Sequence, residues 1–276
     1  MAERPSHRRP PAHGYQRRPP RDRAAGEDLT LIWGIHAVEA ALANPNRQVR
    51  RLWLTENANH RLRPLLAARE DMIEPVRPAE LDRRLGADTV HQGALVETAP
   101  LADVSLADLV ADGQPIVVLD QVTDPHNVGA VLRSSAAFGA AGLVMTRRNS
   151  PPLGGALAKA ASGALELVPV ALVQNLARAI SELKEHGVLC LGLEGSGQDL
   201  FENIAIELAG RQVAIILGAE GKGLRQLTRE NCHHVCRLTT SGTLASLNVS
   251  NAAAVALHHL AWRRHLSSQV SRDRLE

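Results

Sequence analysis

The sequence predicts an α/β protein in which a large parallel sheet follows a smaller α/β unit. Apolar runs alternate with helical patterns between residues 115 and 265, and a shorter alternation of the same kind fills residues 29–99. The runs at 116–119 and 213–217 are apolar at every position. Strands of that kind are typical of parallel sheets whose two faces are both covered by helices.

Composition divides the chain into five segments. Residues 1–28 are rich in Arg, Pro and His and hold almost no apolar side chains, so we expect a disordered basic arm. Such an arm either tethers RNA or is a soluble tail without a function, and the sequence leaves both interpretations open. The other segments are the small α/β unit at 29–99, a connector at 100–114, the large unit at 115–267 and a tail at 268–276.

The small unit is predicted to hold three helices and three strands. The first helix has apolar residues at helical spacing and ends at Asn44 and Pro45. The third begins near its proline, which is a favoured first helical residue. The predicted helices are 35–42, 61–70 and 78–85, and the predicted strands are 49–55, 73–76 and 93–97.

The large unit alternates strands and helices, and glycines such as Gly187 mark helix ends. The connector holds one short helix at 105–111, and residues 194–207 are expected to be irregular. The predicted strands are 116–119, 143–145, 166–173, 188–193, 213–217 and 235–238, and the predicted helices are 128–138, 153–164, 176–186, 224–231 and 251–265.

Charge is unevenly distributed along the chain. Seven Arg against Glu3 and Asp22 give residues 1–23 a charge of +5, which leaves −3 for the rest of a chain whose total is +2. Nucleic acid would therefore meet a local patch and the arm rather than a basic body. Aromatic residues make up only 2% of the chain, which argues against an extended platform for stacking bases.

Cysteine usage and hydropathy favour a cytoplasmic protein. Three cysteines are too few for a disulfide framework and suit a reducing compartment. No apolar run is long enough to span a membrane, and the prolines of the arm argue against a helical transit peptide. The segment 232–236 contains Cys and His, but no second ligand pair lies at suitable spacing, so we predict no metal site.

Two polar loops near the C-terminus predict one ligand pocket. The loop at 218–223 follows an apolar strand, and residues 246–251 open an alanine-rich helix, with Ser250 as a candidate N-cap. The first loop is not a phosphate loop, because Gly223 rather than Ser or Thr follows its lysine. It is not a dinucleotide fingerprint either, because Glu220 occupies the second glycine position.

A third polar segment follows the strand at 116–119. Asn127 is placed to cap the next helix, and Arg133 is a polar side chain among small and apolar neighbours. A surface arginine and a capping asparagine would explain both residues. A guanidinium on such a helix is also suited to binding phosphate.

Together, these segments resemble the three motifs of the SpoU (TrmH) branch of the SPOUT RNA 2'-O-ribose methyltransferases. The matching segments are 124–134, 217–223 and 246–250, and the opening at 33–38 and the closing at 91–93 of the small unit are similar to the family's substrate-binding domain. The resemblance implies a C-terminal trefoil knot, with residues from about 213 to 265 threaded, and a homodimer. Nothing in the periodicity of the sequence indicates a knot.

The resemblance also implies the cofactor, the substrate and the roles of residues. The cofactor would be S-adenosylmethionine and the partner RNA. The small unit favours the subgroup that methylates a guanosine ribose of large-subunit rRNA. Cofactor-binding positions would be Leu217, Gly218, Leu238, Leu247 and Asn248. Catalytic positions would be Asn127, Arg133, Glu220, Ser246 and Asn248.

Two alternatives stay open at this stage. One is a tRNA guanosine 2'-O-methyltransferase of the same family, and the other is a ribosome-assembly factor that binds RNA without catalysis. For the enzyme, we expect Arg133 to orient the target through its phosphate and hydroxyl, because a guanidinium stays protonated in proteins and is a poor base. Ser246 and Asn127 would then shape the removal of the proton.

Overall fold

The computed structural model describes residues 29–207, 210–242 and 247–273. The predictions for the arm at 1–28 and for Ser246 lie outside the described residues. Of the helices described, none is long and apolar enough to cross a membrane.

The small unit is a four-stranded sheet with helices on both faces. Its strand order is β1-β4-β2-β3, with β4 antiparallel to β1 and β2, and β3 parallel to β2. The elements are β1 (Thr30–Trp33), α1 (Ile35–Ala43), β2 (Val49–Leu54), α2 (Glu56–Leu62), β3 (Ile73–Pro75), α3 (Pro78–Leu85) and β4 (Ala94–Thr98).

Two features of the small unit differ from the sequence prediction. The helix predicted at 61–70 is wrong: α2 begins at Glu56, because the Thr55 side chain accepts a hydrogen bond from the amide of Ala58. It ends where Pro64, which has no amide hydrogen to donate, falls in a short 3-10 helix. Strand β1 was not predicted, since four residues are too few to show a clear alternation.

The large unit is a seven-stranded sheet in which all pairings are parallel, as the apolar runs predict. Its strand order is β7-β6-β5-β10-β8-β11-β9. The strands are β5 (Ile116–Asp120), β6 (Gly142–Thr146), β7 (Val170–Val173), β8 (Leu189–Leu193), β9 (Asp199–Leu200), β10 (Val213–Gly218) and β11 (His234–Arg237). The helices are α4 (Leu106–Asp112), α5 (Pro125–Ala137), α6 (Gly155–Ala161), α7 (Leu176–Glu185), α8 (Phe201–Glu207), α9 (Gln226–Asn231) and α10 (Val249–Asp273).

Three predicted elements of the large unit are corrected by the structure. The strand predicted at 166–173 is limited to β7, because residues 164–166 form a 3-10 helix. The helix predicted at 153–164 is shorter, since Ser162 adopts a left-handed conformation with φ 50° that ends α6. The segment 194–207 is not irregular throughout but contains β9 and α8.

Two apolar cores cover the two faces of the large sheet. On one face, α5, α6 and α10 contribute buried side chains together with α1 and β1 of the small unit. On the other face, α4 and α7 form a separate core with Leu224. Because the first core contains side chains from both sheets, the small unit is packed directly against the large one.

Two adjacent glycines permit the close approach of the units. A Cβ added at Gly154 would overlap the Thr30 side chain, and one added at Gly155 would lie 2.6 Å from the Trp33 ring. Gly155 also has a φ of 51°, which residues other than glycine rarely adopt. The two glycines at the start of α6 therefore mark the joint between the units.

A buried ion pair lies at the same joint. Arg47, from the small unit, places its Nη2 2.6 Å from Oε1 of Glu166, and the two side chains are 0% and 3% exposed. The Asn44 side chain donates to the other carboxylate oxygen over 2.8 Å, and Arg47 Nη1 donates to the carbonyl of Ala99. Arg47 and Asn44 thus bind both oxygens of Glu166 across the joint.

Candidate active site

A cavity of about 520 Å³ opens at the carboxyl ends of β8 and β10. Parallel α/β sheets commonly bind ligands at this edge. The cavity is lined by Leu193, Glu194, Gly195, Ser196, Leu217, Gly218, Ala219, Glu220, Gly221, Lys222, Gly223, Leu238, Thr240, Leu247, Val249 and Ala252. The predicted cofactor positions Leu217, Gly218, Leu238 and Leu247 therefore share one cavity.

The glycines of the 218–223 loop are required by its close folding. The amide of Gly223 donates to the carbonyl of Ala219 over 2.9 Å, which turns the loop back on itself. A Cβ added at Gly218 would overlap the Gly223 backbone, and one added at Gly223 would overlap the Glu194 carboxylate. A side chain at either position would therefore clash within the loop or with Glu194.

Three predicted catalytic side chains meet at the mouth of the cavity. Asn127 Nδ2 donates to Glu220 Oε1 over 3.3 Å, and Asn248 Nδ2 donates to Asn127 Oδ1 over 3.0 Å. Asn248 Nδ2 also donates to Glu220 Oε1. All three residues come from different segments, so the fold joins polar groups that are 28 to 121 residues apart.

The predicted capping role of Asn127 is wrong. Helix α5 begins at Pro125, and its N-cap is Asp124, whose Oδ1 accepts the amide of His126 over 2.9 Å. Proline is favoured at the first helical position because its missing amide hydrogen is not needed there. Asn127 lies in the first turn, and its side chain is available to Glu220.

The predicted capping role of Ser250 is wrong as well. Ser250 lies inside α10, and Asn248 Oδ1 accepts hydrogen bonds from its amide over 2.9 Å and from its hydroxyl over 2.6 Å. Asn248 therefore caps α10 with its oxygen and contacts Glu220 with its nitrogen. The helix fixes the orientation of this amide.

Arg133 does not join the cluster. It is exposed and lies six residues beyond Asn127 on α5, which places it about 9 Å along the axis and about 120° around it. Among the described residues no hydrogen bond or ion pair of its guanidinium is found. Ser246, the remaining predicted catalytic residue, lies outside the described part of the chain.

Two carboxylates at the same sheet edge, one partly buried and one fully buried, were not predicted from sequence. Glu194 follows β8, accepts the amide of Leu224 over 3.1 Å and pairs with Arg229 at 2.5 Å. Asp120, at the end of β5, is fully buried and accepts the amide and the Nε of Arg225. Both follow apolar strands, and that position was the available signal.

The ion pair also corrects the interpretation of Arg225. From the sequence alone, Arg225 is either a positive charge for docked RNA or part of a solvated face. Its Nε lies 2.7 Å from Asp120 Oδ1, so it holds the loop after β10 against the end of β5. Arg225 therefore supports the cavity wall.

Cys190 and Cys236 are buried, and Cys232 is partly buried. Burial raises the pKa of Cys190, Cys232 and Cys236 to about 12. A thiol with such a pKa is almost entirely protonated at neutral pH and reacts slowly. Within the described ranges, no group of three or more His, Cys, Asp and Glu side chains is arranged to hold a metal ion.

Comparison with known families matches both units of the chain. Residues 114–258 match the SpoU rRNA Methylase family, and residues 31–104 match the family described as RNA 2'-O ribose methyltransferase substrate binding. The two matches cover the cavity and the small sheet respectively.

Comparison with individual proteins gives relatives of nearly the same length. The chain is 38% identical over 238 residues to the 23S rRNA (guanosine-2'-O-)-methyltransferase RlmB of Pseudomonas syringae pv. tomato, covering 83% of this chain and 94% of that protein. It is 39% identical over 245 residues to the protein of the same name from Vibrio cholerae, covering 85% and 97%.

Solved structures show the same fold at lower identity. The SpoU methyltransferase AviRb from Streptomyces viridochromogenes, in complex with AdoMet, matches with a TM-score of 0.73 at 20% identity, covering 86% of this chain and 90% of that one. An AdoMet-bound rRNA methyltransferase from Sinorhizobium meliloti matches with a TM-score of 0.70 at 20% identity, covering 86% and 88%. By sequence and by fold, the chain belongs to the SpoU rRNA methylase family.

Proposed function

We propose that the protein methylates the ribose 2'-hydroxyl of a guanosine in large-subunit rRNA, with S-adenosylmethionine as the methyl donor. The observation that carries this proposal is the Asn127–Glu220–Asn248 cluster at the mouth of a glycine-walled cavity. Relatives that share more than a third of their residues with this chain are named for that reaction.

The cavity fits the cofactor by its size and its wall. Its volume of about 520 Å³ lies in the usual range for small-molecule sites. Gly218 packs directly against the Gly223 backbone, which keeps the loop tightly folded at the cavity wall. Leu217, Leu238 and Leu247 supply the apolar lining for such a ligand, while Asn248 does not line the cavity and acts on it through its hydrogen bond to Glu220. When bound, S-adenosylmethionine supplies a methyl group on a positively charged sulfur.

The polar cluster then acts on the ribose. Both donor contacts to Glu220 end on Oε1, and within the described residues no hydrogen bond ends on Oε2. Glu220 Oε2 accepts a hydrogen bond from the ribose 2'-hydroxyl, which orients its oxygen toward the cavity. Asn127 and Asn248 hold the carboxylate in place, so that alignment supplies much of the rate. Ser246 takes part in removing the proton.

Arg133 and a second copy of the chain complete the site. Because Arg133 projects away from Asn127, it binds the phosphate next to the target ribose rather than the reacting oxygen. Helix α10, which packs on α5, exposes an apolar stripe of Val255, Trp262 and Leu266 at 46%, 52% and 38%. These residues share one helix face, and a homodimer through this stripe places a partner beside Arg133.

The remaining organisation follows from the same proposal. The small unit, taken as residues 29–99, binds rRNA, and residues 115–267 form the methyltransferase unit with the trefoil knot that the family resemblance implies. A basic arm at 1–28 and a connector at 100–114 complete the division. The enzyme works in the cytoplasm, where free thiols and unassembled rRNA occur together.

The decisive experiment maps 2'-O-methyl groups in a deletion strain. We expect one guanosine of large-subunit rRNA to lose its methyl group and to regain it with the plasmid-borne gene. If a tRNA ribose lost its methyl group and rRNA did not, the substrate would be wrong. Calorimetry of S-adenosylmethionine with the purified protein separates a third outcome, since no binding would indicate an RNA-binding assembly factor.

A further inference from the structure

A second cavity lies at the joint between the two units. It has a volume of about 670 Å³ and is bounded by β1, the connector, the start of α5 and the loop between β6 and α6. Its walls include Trp33 and Leu101 on one side and Pro125, Arg147 and Leu153 on the other. We call this cavity the joint groove. No residue in it belongs to the cavity at the ends of β8 and β10.

The joint groove reaches the helix that carries Asn127. Pro125 is two residues before Asn127 on α5, a rise of about 3 Å along the helix. Residues from both family matches line the groove, since Trp33 falls in the substrate-binding segment and Leu153 in the methylase segment. RNA held by one unit and methylated by the other must pass this joint.

Trp33 gives the groove an aromatic wall whose position is fixed. Its ring packs on the backbone of Gly155, where a Cβ would lie 2.6 Å from the ring. Pro151, Pro152 and Leu153 add apolar surface from the loop before α6. Proteins that recognise RNA commonly splay out an unstacked base and stack it on an aromatic side chain. One such side chain suffices for one base, although aromatic residues are scarce in the chain.

Charge at the rim is suited to a phosphate. Arg147 Nη2 lies 3.0 Å from Asp103 Oδ1, with the two side chains 44% and 79% exposed. An exposed pair of this kind contributes little to stability, so an RNA phosphate can replace the aspartate at small cost. Arg148, the next residue, is exposed as well.

We propose that the joint groove binds an unstacked base of the RNA substrate next to the target nucleotide, stacked on Trp33, with Arg147 on its phosphate. This inference rests on the proposed function, because it takes the ligand to be the same RNA. It adds a base-binding site that is separate from the cofactor cavity and formed in the protein before RNA arrives.

The first test compares Trp33→Leu with Trp33→Phe. Methyl transfer to a protein-free 23S rRNA transcript gives KM and kcat, and calorimetry gives the affinity for S-adenosylmethionine. We expect Trp33→Leu to raise the KM for RNA about 5- to 100-fold, because base stacking needs a ring. Trp33→Phe keeps a ring, so its KM for RNA should lie much closer to that of wild type. Cofactor affinity and thermal midpoint should stay within error of wild type for Trp33→Phe.

Arg147→Ala, with Arg178→Ala as its matched control, tests the rim. Arg178 is exposed on α7, on the opposite face of the sheet. We expect Arg147→Ala to raise the KM for RNA and to reduce its dependence on salt, and Arg178→Ala to change neither. Equal effects from both variants would show a general charge effect and would overturn the assignment of Arg147.

Hydrogen–deuterium exchange of the full-length protein identifies the occupant. RNA should protect residues 151–157 from exchange in wild type and less so in Trp33→Leu. If this segment exchanged equally slowly with and without RNA, the protein itself would fill the groove and the proposal would fail. If wild type methylated RNA and Trp33→Leu had the same KM for RNA, the base-binding role of the joint groove would be wrong and the proposed function would stand. If wild type methylated no RNA, the proposed function would fail, and protection by RNA would still test the groove.

Discussion

Two carboxylates of this molecule, Glu166 and Glu220, are bound by nitrogen donors in opposite settings. Glu166 is 3% exposed at the joint, and Asn44 and Arg47 occupy both of its oxygens. Glu220 is exposed at the cavity mouth, and Asn127 and Asn248 both bind its Oε1. The first arrangement is closed and holds two units together. The second is open on one oxygen and is suited to a substrate.

Burial decides whether a carboxylate contributes to stability or to activity. A buried charge that keeps all its partners is a fixed point of the structure, because any loss leaves an unpaired charge out of water. An exposed carboxylate can lose a partner to water at little cost, so it can exchange partners during a reaction. Mutations at the two positions should therefore separate stability from activity.

The largest effect is expected at the joint. Glu166→Ala leaves the buried guanidinium of Arg47 without its carboxylate and should lower the free energy of unfolding by about 3–5 kcal/mol. Urea denaturation measures this directly. Asp103→Ala is the matched control, since Asp103 pairs with Arg147 at 3.0 Å but is 79% exposed, and it should cost under about 1 kcal/mol. Equal costs would remove the distinction between the two settings.

The second prediction concerns Glu220→Gln at the cavity mouth. The amide keeps the size of the side chain but presents no second carboxylate oxygen, so kcat should fall about 100-fold, the scale seen when one preorganised group is lost. The free energy of unfolding should change by less than about 0.5 kcal/mol. Rates under saturating RNA and cofactor measure the first, and Glu182→Gln, exposed on α7, controls for a general charge effect. A stability loss as large as that of Glu166→Ala would contradict the open setting.

A third, smaller effect is expected for Arg133→Lys. Lysine keeps the charge but loses the planar fork that binds phosphate through two hydrogen bonds. We expect kcat/KM for RNA to fall about tenfold with cofactor affinity unchanged, as single-turnover assays and calorimetry would show. Turnover near that of wild type would mean that two-point contact is unimportant and that Arg133 is only a charge.

The smallest effect is expected at His233, next to β11. Burial lowers the pKa of His233 from 6.5, and its Nδ1 accepts the amide of Cys190 over 3.0 Å. The unfolded chain therefore binds the proton more tightly, so this contribution is present above pH 6.5 and is lost as the pH falls below it. Urea midpoints at pH 7.5 and pH 5.5 should differ less for His233→Gln than for wild type. His60→Gln, at an exposed position, should match wild type.

The parallel sheet was predictable, because strands buried on both faces leave continuous apolar runs such as those at 116–119 and 213–217. The helix starts were not, although a signal existed. Asp124 followed by Pro125 is a capping residue before a favoured first residue, and it is preferred as the N-cap to Asn127, three positions later. A choice between neighbouring polar residues depends on backbone geometry that the sequence does not show.

The motif segments predicted which side chains line the cavity, while its supports were missed. Glu194 and Asp120 are held by Arg229 and Arg225, which lie 35 and 105 residues away along the chain. Arg47 and Glu166 are 119 residues apart and sit in unremarkable local sequence. Pairings of this kind leave no periodic signal, because only the folded chain brings the partners together. The family resemblance supplied the site, and local patterns could not supply its scaffold.

The ion pair at the joint also determines where the chain can be divided. A fragment that begins at residue 100 would keep the Glu166 carboxylate. It would lose Asn44 and Arg47, the two described residues whose side-chain nitrogens donate to that carboxylate. It would also uncover Leu157 and Ala161, which are 1% and 0% exposed beside the small unit. A protease that cuts the connector would therefore release two unstable halves rather than two working modules. Expressing the methyltransferase half alone would first require apolar or neutral replacements at Glu166.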